Sequence, residues 1–168
     1  MQTLDNFEIR INRSFPPWTL GKGLCVAEIY INNQSLIELV RRVEEPFVQA
    51  EIQQRRAEGE DIDELTLPAG DYLYLPPSIV LLPSRNLLDE PWNHGFKLES
   101  NSLQAGKATV LGCTCGVIQC WFLQVRIILN ESMVEWDDFG QFHRDWQYNL
   151  GSFKFDPEQY MSELCKQS

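Results

Sequence analysis

Apolar and polar positions alternate most clearly over residues 121–129, where every second side chain is apolar. This period of two predicts a half-buried β-strand. A second alternating run begins at residue 134, and the polar residues 130–132 between the runs favour a tight turn. A two-residue turn would make the runs a hairpin with apolar and opposite-charge partners face to face. The predicted pairs are Arg126–Asp137, Ile127–Trp136 and Leu129–Val134.

A further strand is predicted over residues 108–115, joined to the first by a loop over residues 116–119. In this register Cys115 faces Cys120, and Cys113 faces Phe122. Side chains that face each other on neighbouring strands point to the same side of the sheet. The sequence therefore predicts three thiols on one face, turned away from the core-facing residues of the first strand.

Other patterns extend this picture to a single α+β domain over residues 1–168, built mainly on antiparallel sheet. Further strands are predicted at 7–11, 26–31 and 153–155. Residues 68–93 are apolar but contain five prolines, which favours an extended segment that covers the core. Asp156 followed by Pro157 predicts the start of a short C-terminal helix, with Tyr160 and Leu164 facing inward.

A long helix is predicted from Ser35 to about Arg56. Ser35 with Glu38 three residues later is a capping-box pattern, which is typical of helix starts. The apolar residues recur at helical spacing and should pack on the sheet. Pro46 lies inside this pattern and removes an amide donor, so the helix should be either kinked or split there.

Charge and composition narrow the classes of function. The net charge is −10, from 24 acidic and 14 basic residues, which disfavours binding to nucleic acid or to anionic membranes. No apolar run is long enough to cross a bilayer. The first residues lack a secretory signal pattern and the five cysteines are an odd number, so a cytoplasmic protein with reduced thiols is expected.

The cysteine cluster is the one candidate chemical site. Extending the hairpin register sets His143 opposite Cys120, so that Cys113, Cys115, Cys120 and His143 could bind a zinc ion. His94 could replace His143 as the fourth ligand. Alternatively, the thiols fill space on the strand face, or a cysteine acts as a redox or nucleophilic group with His143 as its base. Asp137 or Asp145 would then orient the imidazole.

The chain contains no nucleophile-elbow, zinc-protease or dinucleotide motif, which makes an enzyme the less favoured class. Small size and acidity instead suggest a protein-binding domain of the immunity or adaptor kind. Its partner would meet an acidic and aromatic surface formed by Trp136, Asp137, Asp138, Trp146 and Tyr148. The sequence predicts neither the partner nor the oligomeric state.

Several of these residues also recur in a spaced pattern, Gly-Cys-x-Cys-Gly, then Cys-Trp, then Gln-x-His-Arg-x-Trp-x-Tyr. The pattern spans Gly112–Gly116, Cys120–Trp121 and Gln141–Tyr148. It resembles a widespread group of small bacterial proteins of unknown function, over roughly residues 108–164. The resemblance adds weight to the cluster of cysteines and histidine and implies no reaction.

Overall fold

A computed structural model describes residues 3–15, 23–60, 68–91 and 106–167. Its elements follow one another along the chain as β1 (Phe7–Phe15), β2 (Leu24–Ile31), β3 (Gln34–Ser35), α1 (Leu36–Ala57), β4 (Tyr72–Tyr74), α2 (Pro77–Val80), β5 (Lys107–Cys113), a 3₁₀ helix (Ile118–Cys120), β6 (Leu123–Leu129), β7 (Val134–Gln141), β8 (Phe153–Phe155) and α3 (Pro157–Leu164).

The strands form two antiparallel sheets, one of three strands in the order β1-β2-β3 and one of five in the order β4-β5-β6-β7-β8. Buried side chains from both sheets and from α1 and α3 join in one hydrophobic cluster. The predicted α+β fold class is therefore confirmed, with the antiparallel strands divided between two sheets. No helix in the described ranges is both long and apolar enough to cross a membrane.

The β6–β7 hairpin has the predicted register. Arg126 pairs with Asp137, Ile127 with Trp136 and Leu129 with Val134. An irregularity between Gln124 and Arg126 then shifts the pairing by one residue, so that Leu123 faces Gln141. Such a bulge is not visible in an alternating pattern, because the extra residue leaves the local hydrophobicity unchanged.

Helix α1 begins as predicted, with the Ser35 hydroxyl accepting the Glu38 amide at 3.3 Å. Pro46 lies within a continuous helix, so the helix is not split there. The five buried residues of α1 are Leu36, Ile37, Val40, Glu44 and Val48, of which Leu36 and Val40 belong to the predicted apolar stripe Leu36, Leu39, Val40, Val43 and Phe47. One of the five is an acid, and its environment bears on the site described below.

Helix α3 lies beside β1 and supplies partners to its backbone. The Ile9 amide donates to the Glu163 carboxylate at 2.8 Å, and the Lys166 ammonium donates to the Ile9 carbonyl, also at 2.8 Å. Helix side chains thus cover an edge strand that could otherwise pair with another chain. The helix itself is capped by Asp156, whose carboxylate accepts the Gln159 amide at 3.0 Å, as predicted.

An aromatic cluster joins α3 to both sheets. The ring of Phe7 lies 5.5 Å from that of Trp136 and 4.6 Å from that of Tyr160, measured between centroids. Within it, the Trp136 indole donates to the Tyr160 hydroxyl at 3.2 Å, and that hydroxyl donates to the Leu87 carbonyl at 2.5 Å. Leu87 belongs to the proline-rich segment, which covers the core as expected.

Candidate functional site

The thiol loop, residues 113–121, connects the end of β5 to the start of β6. Strand β5 ends at Cys113, and a 3₁₀ helix occupies Ile118–Cys120, so the predicted strand to Cys115 and the predicted loop over 116–119 were wrong. Gly112 explains the compact shape, since a Cβ there would lie 3.1 Å from the Ile118 side chain. Ile118 folds back over this glycine and closes the loop against β5.

The cysteines do not share one face. Cys113 pairs with Tyr72, and two residues earlier Leu111 pairs with Leu123 across β6. Cys113 therefore points to the same side as Leu123, and it is only 8% exposed, within the hydrophobic core. The prediction that all three thiols face away from that side was wrong. The cause is a register shift in β5 between Thr109 and Leu111, because a slip of one residue exchanges the faces of a strand.

The three sulfurs nevertheless meet at the loop. The Cys115 thiol is close enough to the thiols of Cys113 and Cys120 to influence their pKa values. Its sulfur also accepts the backbone amide of Val117 at 3.4 Å, while the Cys115 amide lies 3.5 Å from the Cys113 sulfur. Both Cys115 and Cys120 are exposed to solvent. The cluster thus combines one buried thiol with two accessible ones.

The environment gives the three thiols different acidities. The Val117 amide and the neighbouring thiols hold the pKa of Cys115 below its ordinary value, because their hydrogen bonds favour the thiolate. Burial raises the pKa of Cys113 to about 11. The hydrogen bond with Cys115 raises the pKa of Cys120. Cys115 is therefore the one thiol of the three whose pKa is lowered, and the thiolate is the nucleophilic form of cysteine.

The side chain of His143 contacts the backbone of the thiol loop. Its Nε2 atom lies 2.9 Å from the carbonyl oxygen of Gln119, and its ring lies parallel to that of Trp121, with centroids 6.2 Å apart. The extended strand pairing of Cys120 with His143 does not form, because β7 ends at Gln141. The Nε2 atom of the imidazole is thus engaged by the backbone carbonyl of the residue before Cys120.

The described part of the chain contains no group of three or more histidine, cysteine, aspartate or glutamate side chains arranged to hold a metal ion. His94, the alternative fourth ligand, lies outside the described residues. Cysteine thiolates suit zinc by their chemistry. In the described part of the chain, however, these cysteines are free thiols that are not arranged around a shared ion.

A buried carboxyl lies behind the loop and was not predicted. Glu44 of α1 is fully buried and accepts the Gly70 amide at 2.9 Å and the Tyr72 hydroxyl at 2.5 Å. It also accepts the hydroxyl of Tyr148. Burial raises the pKa of Glu44 despite these donors. The sequence carries a signal for this residue, since Glu44 lies four positions from both Val40 and Val48 on the buried stripe of the helix.

Gln141 connects this carboxyl to the thiol loop. Its amide nitrogen lies 3.4 Å from the Tyr72 hydroxyl, and its amide oxygen accepts the backbone amide of His143 at 2.6 Å. A chain of hydrogen bonds therefore runs from Glu44 through Tyr72 and Gln141 to the residue that contacts Gln119. The buried network fixes the position of His143, and thereby supports the loop that carries Cys115 and Cys120.

Of the five residues of the predicted partner surface, Asp138, Trp146 and Tyr148 line one pocket. Trp136 is fully buried and cannot meet a partner, which corrects that part of the prediction. The hydroxyl of Tyr148 is bonded to Glu44. Trp146 is half-buried and stacks on Phe47, with centroids 5.9 Å apart. Asp137 is half-buried, and Asp138 next to it is exposed.

That exposed neighbour, Asp138, has a structural role. Its carboxylate lies 3.4 Å from the ammonium of Lys107 and 3.1 Å from the guanidinium of Arg126. The Lys107 side chain is only 4% exposed, so Asp138 compensates a nearly buried positive charge. Of the two acids at the predicted surface, Asp138 is thus already paired with cations of the protein itself.

The chain matches no family model, and neither the curated proteins nor the solved structures include a match. The resemblance to the bacterial group remains an expectation from the sequence.

Proposed function

We propose that the thiol loop is a redox-reactive site, with Cys115 as its nucleophile and Cys120 as its resolving thiol. The observation that supports this most is the exposed Cys115 sulfur, which accepts the Val117 amide and has Cys113 and Cys120 as neighbours. A low pKa, exposure and an adjacent second thiol together characterise redox-active cysteines. The reaction class is thiol–disulfide exchange with a disulfide substrate.

The exchange proceeds in two displacements. The Cys115 thiolate attacks one sulfur of the substrate disulfide, whose S–S bond breaks, and one substrate thiolate leaves and takes up a proton. A mixed disulfide then joins Cys115 to the remaining half of the substrate. Cys120 loses its proton to water and attacks the Cys115 sulfur, which expels the second thiolate. The two protein thiols are oxidised to a disulfide, and the substrate disulfide is reduced to two thiols.

Cys120 is preferred to Cys113 as the resolving group because it is exposed. Cys113 is buried, and its raised pKa keeps it protonated at neutral pH. A thiol that stays protonated is a poor nucleophile. Cys113 therefore supports the Cys115 thiolate by hydrogen bonding instead of reacting with the substrate. His143 holds the loop through Gln119 and does not serve as the base.

Oxidised glutathione tests this assignment when it is added to the reduced protein and the products are mapped by mass spectrometry. The wild-type chain should form a Cys115–Cys120 disulfide. The Cys120→Ser variant should accumulate glutathione on Cys115, and Cys115→Ser should form neither product. Cys25→Ser is the matched control, since Cys25 lies on β2 and not in the thiol loop, and it should behave as the wild type. Modification that begins at Cys113 or Cys120 would refute the assignment.

Zinc binding is a second candidate for the same thiols. The observation that favours it is the placement of Cys113, Cys115 and Cys120 within one short loop, since zinc is commonly held by thiolates. Native mass spectrometry before and after chelation tests it directly. A zinc-sized mass loss that Cys115→Ser abolishes would support the metal site. A chain that stays metal-free at stoichiometric zinc would exclude it.

Binding to a protein partner in the cytoplasm is a third proposal, beside the redox site and the zinc site. The net charge of −10 favours a basic partner, and Val117 beside the thiols is 51% exposed. Affinity capture from a cell extract should compare the wild type with Asp145→Lys and Val117→Ser. Both residues are exposed, so neither change removes a buried contact. A partner whose capture resists both substitutions would contradict binding at these two positions.

A further inference from the structure

A cavity of about 420 Å³ opens between the start of α1, strand β2 and strand β4. Its size is within the range of small-ligand sites. Aromatic rings form much of its wall: Tyr72 and Tyr74 are buried, while Phe15 and Tyr30 are half-buried. The rings of Phe15 and Tyr74 meet edge to face, with centroids 5.6 Å apart.

The charges that line this cavity do not balance. Glu28, Glu38 and Asp71 are acidic, and Arg41 is the cation among the lining residues described. Arg41 is bonded to Glu38, which neutralises both. Within the described part of the chain, neither Glu28 nor Asp71 forms a salt bridge. Arg10 lies opposite Glu28 across β1 and β2 but forms its ion pair with Glu8. Among the described residues, neither Glu28 nor Asp71 therefore has an ion-pair partner in this aromatic-walled cavity.

Among the described residues, each of these carboxylates has one long side-chain hydrogen bond. Glu28 accepts the side-chain amide of Asn12 at 3.3 Å, and Asp71 accepts the hydroxyl of Thr114 at 3.4 Å. Burial raises the pKa of Asp71, and only the Thr114 contact opposes this. The Asp71 carboxylate has therefore lost hydration on folding and has gained little hydrogen bonding in return. A cation bound beside it would supply that compensation.

Tyrosine faces and carboxylates together recognise organic cations, because the ring quadrupole and the negative charge both attract an ammonium group. Tyr30 already carries a cation of the protein on its ring, since the guanidinium carbon of Arg10 lies 3.8 Å from its ring centroid. Arg10 is itself bonded to Glu8 outside the cavity. The net charge of −10 further concentrates cations near the protein and repels anions.

We propose that this cavity binds an alkylammonium group, with Asp71 and Glu28 as its counter-charges and the tyrosine rings as its wall. The group belongs either to a small free amine or to a lysine side chain of a peptide, because the two share the same recognised chemistry. The site is separate from the reactive sulfurs, although Thr114 links its Asp71 to the thiol loop.

Nuclear magnetic resonance titration with n-butylammonium, and with 1-butanol as a neutral analogue of similar shape, tests the proposal. Butylammonium should bind with a Kd in the millimolar range and shift the resonances of Tyr72 and Tyr74, and 1-butanol should not. A capped lysine tripeptide and its norleucine counterpart distinguish the sources. Stronger binding of the lysine peptide assigns the ligand to a protein, and binding of the free amine alone assigns it to a small molecule.

Substitutions in the cavity provide the second arm of the test. Asp71→Asn and Glu28→Gln should each raise the Kd for butylammonium severalfold, and the double variant should raise it by about tenfold. Glu45→Gln, an exposed acid of α1 that does not line the cavity, is the matched control and should leave the Kd unchanged. Thermal melting confirms that the variants fold. Equal binding of 1-butanol, or an unchanged Kd in the double variant, would overturn the proposal.

Discussion

The Nε2 atom of His143 lies 2.9 Å from the carbonyl oxygen of Gln119, and this contact attaches the thiol loop to the segment that follows β7. Gln119 directly precedes Cys120, so the contact acts one residue away from a reactive sulfur. The histidine is held in turn by Gln141, which accepts its backbone amide at 2.6 Å. The positions of the exposed thiols therefore depend on a network that reaches into the core.

Replacement of His143 should loosen this loop without unfolding the protein. A hydrogen bond of this kind contributes about 1 kcal/mol, so amide hydrogen exchange over residues 114–120 should become roughly fivefold faster in His143→Ala. His143→Gln is the control, because its side-chain amide keeps a donor at a similar distance and should restore most of the protection. Unchanged exchange in His143→Ala would contradict the attachment of the loop through this residue.

Glu44→Gln should lower the free energy of unfolding. The carboxylate accepts three hydrogen bonds, and an amide has one oxygen to offer, so at least one buried donor loses its acceptor at a cost of about 1–3 kcal/mol. The neighbouring Glu45→Gln changes an exposed residue and should stay within about 0.5 kcal/mol of the wild type. Urea unfolding of the two variants measures the difference, and equal values would show that the buried network contributes little.

The raised pKa of Glu44 also predicts a pH dependence of stability. The folded protein holds this proton to a higher pH than the unfolded chain, in which a glutamate has a pKa of about 4.3. Glu44 therefore makes stability fall as pH rises from about 4.3 through the folded-state pKa, with the contribution complete below that window. The free energy of unfolding of the wild type minus that of Glu44→Gln should decrease with pH there. A difference that rises with pH would mean that the three hydrogen-bond donors lower the pKa of Glu44 by more than burial raises it.

Gly70 should tolerate alanine less well than Gly59. Both glycines have positive φ, at +70° and +81°, so alanine strains the backbone at each position. At Gly70 an added Cβ would also lie 2.7 Å from Cβ of Arg41, whereas nothing lies within 4 Å at Gly59. Gly70→Ala should therefore cost about 1–3 kcal/mol more than Gly59→Ala, as measured by chemical denaturation. Equal costs would show that Arg41 moves aside freely.

Asp138→Asn should destabilise the fold because it removes the counter-charge of Lys107. Asp138 is about half exposed, so solvent screening limits the expected cost to roughly 1–2 kcal/mol. Asparagine tolerates the positive φ of this residue, 54°, so backbone strain does not contribute. Asp145→Asn, at an exposed position, is the control and should leave the melting temperature unchanged. If both variants melt like the wild type, the ion pair between Asp138 and Lys107 does not contribute to the stability of the fold.

The parts of the fold set by local periodicity and capping could be predicted from the sequence. The β6–β7 hairpin was identified with its correct pairs because a two-residue turn and alternating side chains define a single register. The starts of α1 and α3 were identified because Ser35 and Asp156 form caps with residues close in the sequence. These signals depend only on neighbouring positions.

The arrangement of the thiols could not be predicted in the same way. The shift in β5 between Thr109 and Leu111 changes which face Cys113 occupies, and no residue pattern marks it. Glu44 escaped prediction because a charged residue on a helix is usually exposed, and its partners at Gly70, Tyr72 and Tyr148 are distant in sequence. The expected placement of all three thiols on one strand face was wrong for Cys113, because the strand pairing that led to it does not form.

The rate of Cys115 alkylation by iodoacetamide as a function of pH, resolved by peptide mass spectrometry, tests the reactive-thiol proposal most directly. N-acetylcysteine is the reference thiol, because it lacks the Val117 amide and the neighbouring sulfurs. We predict that Cys115 reaches its half-maximal rate at a lower pH than N-acetylcysteine and that Cys113 reacts more slowly than either at neutral pH. A midpoint for Cys115 at or above that of the reference would contradict its assignment as the nucleophile.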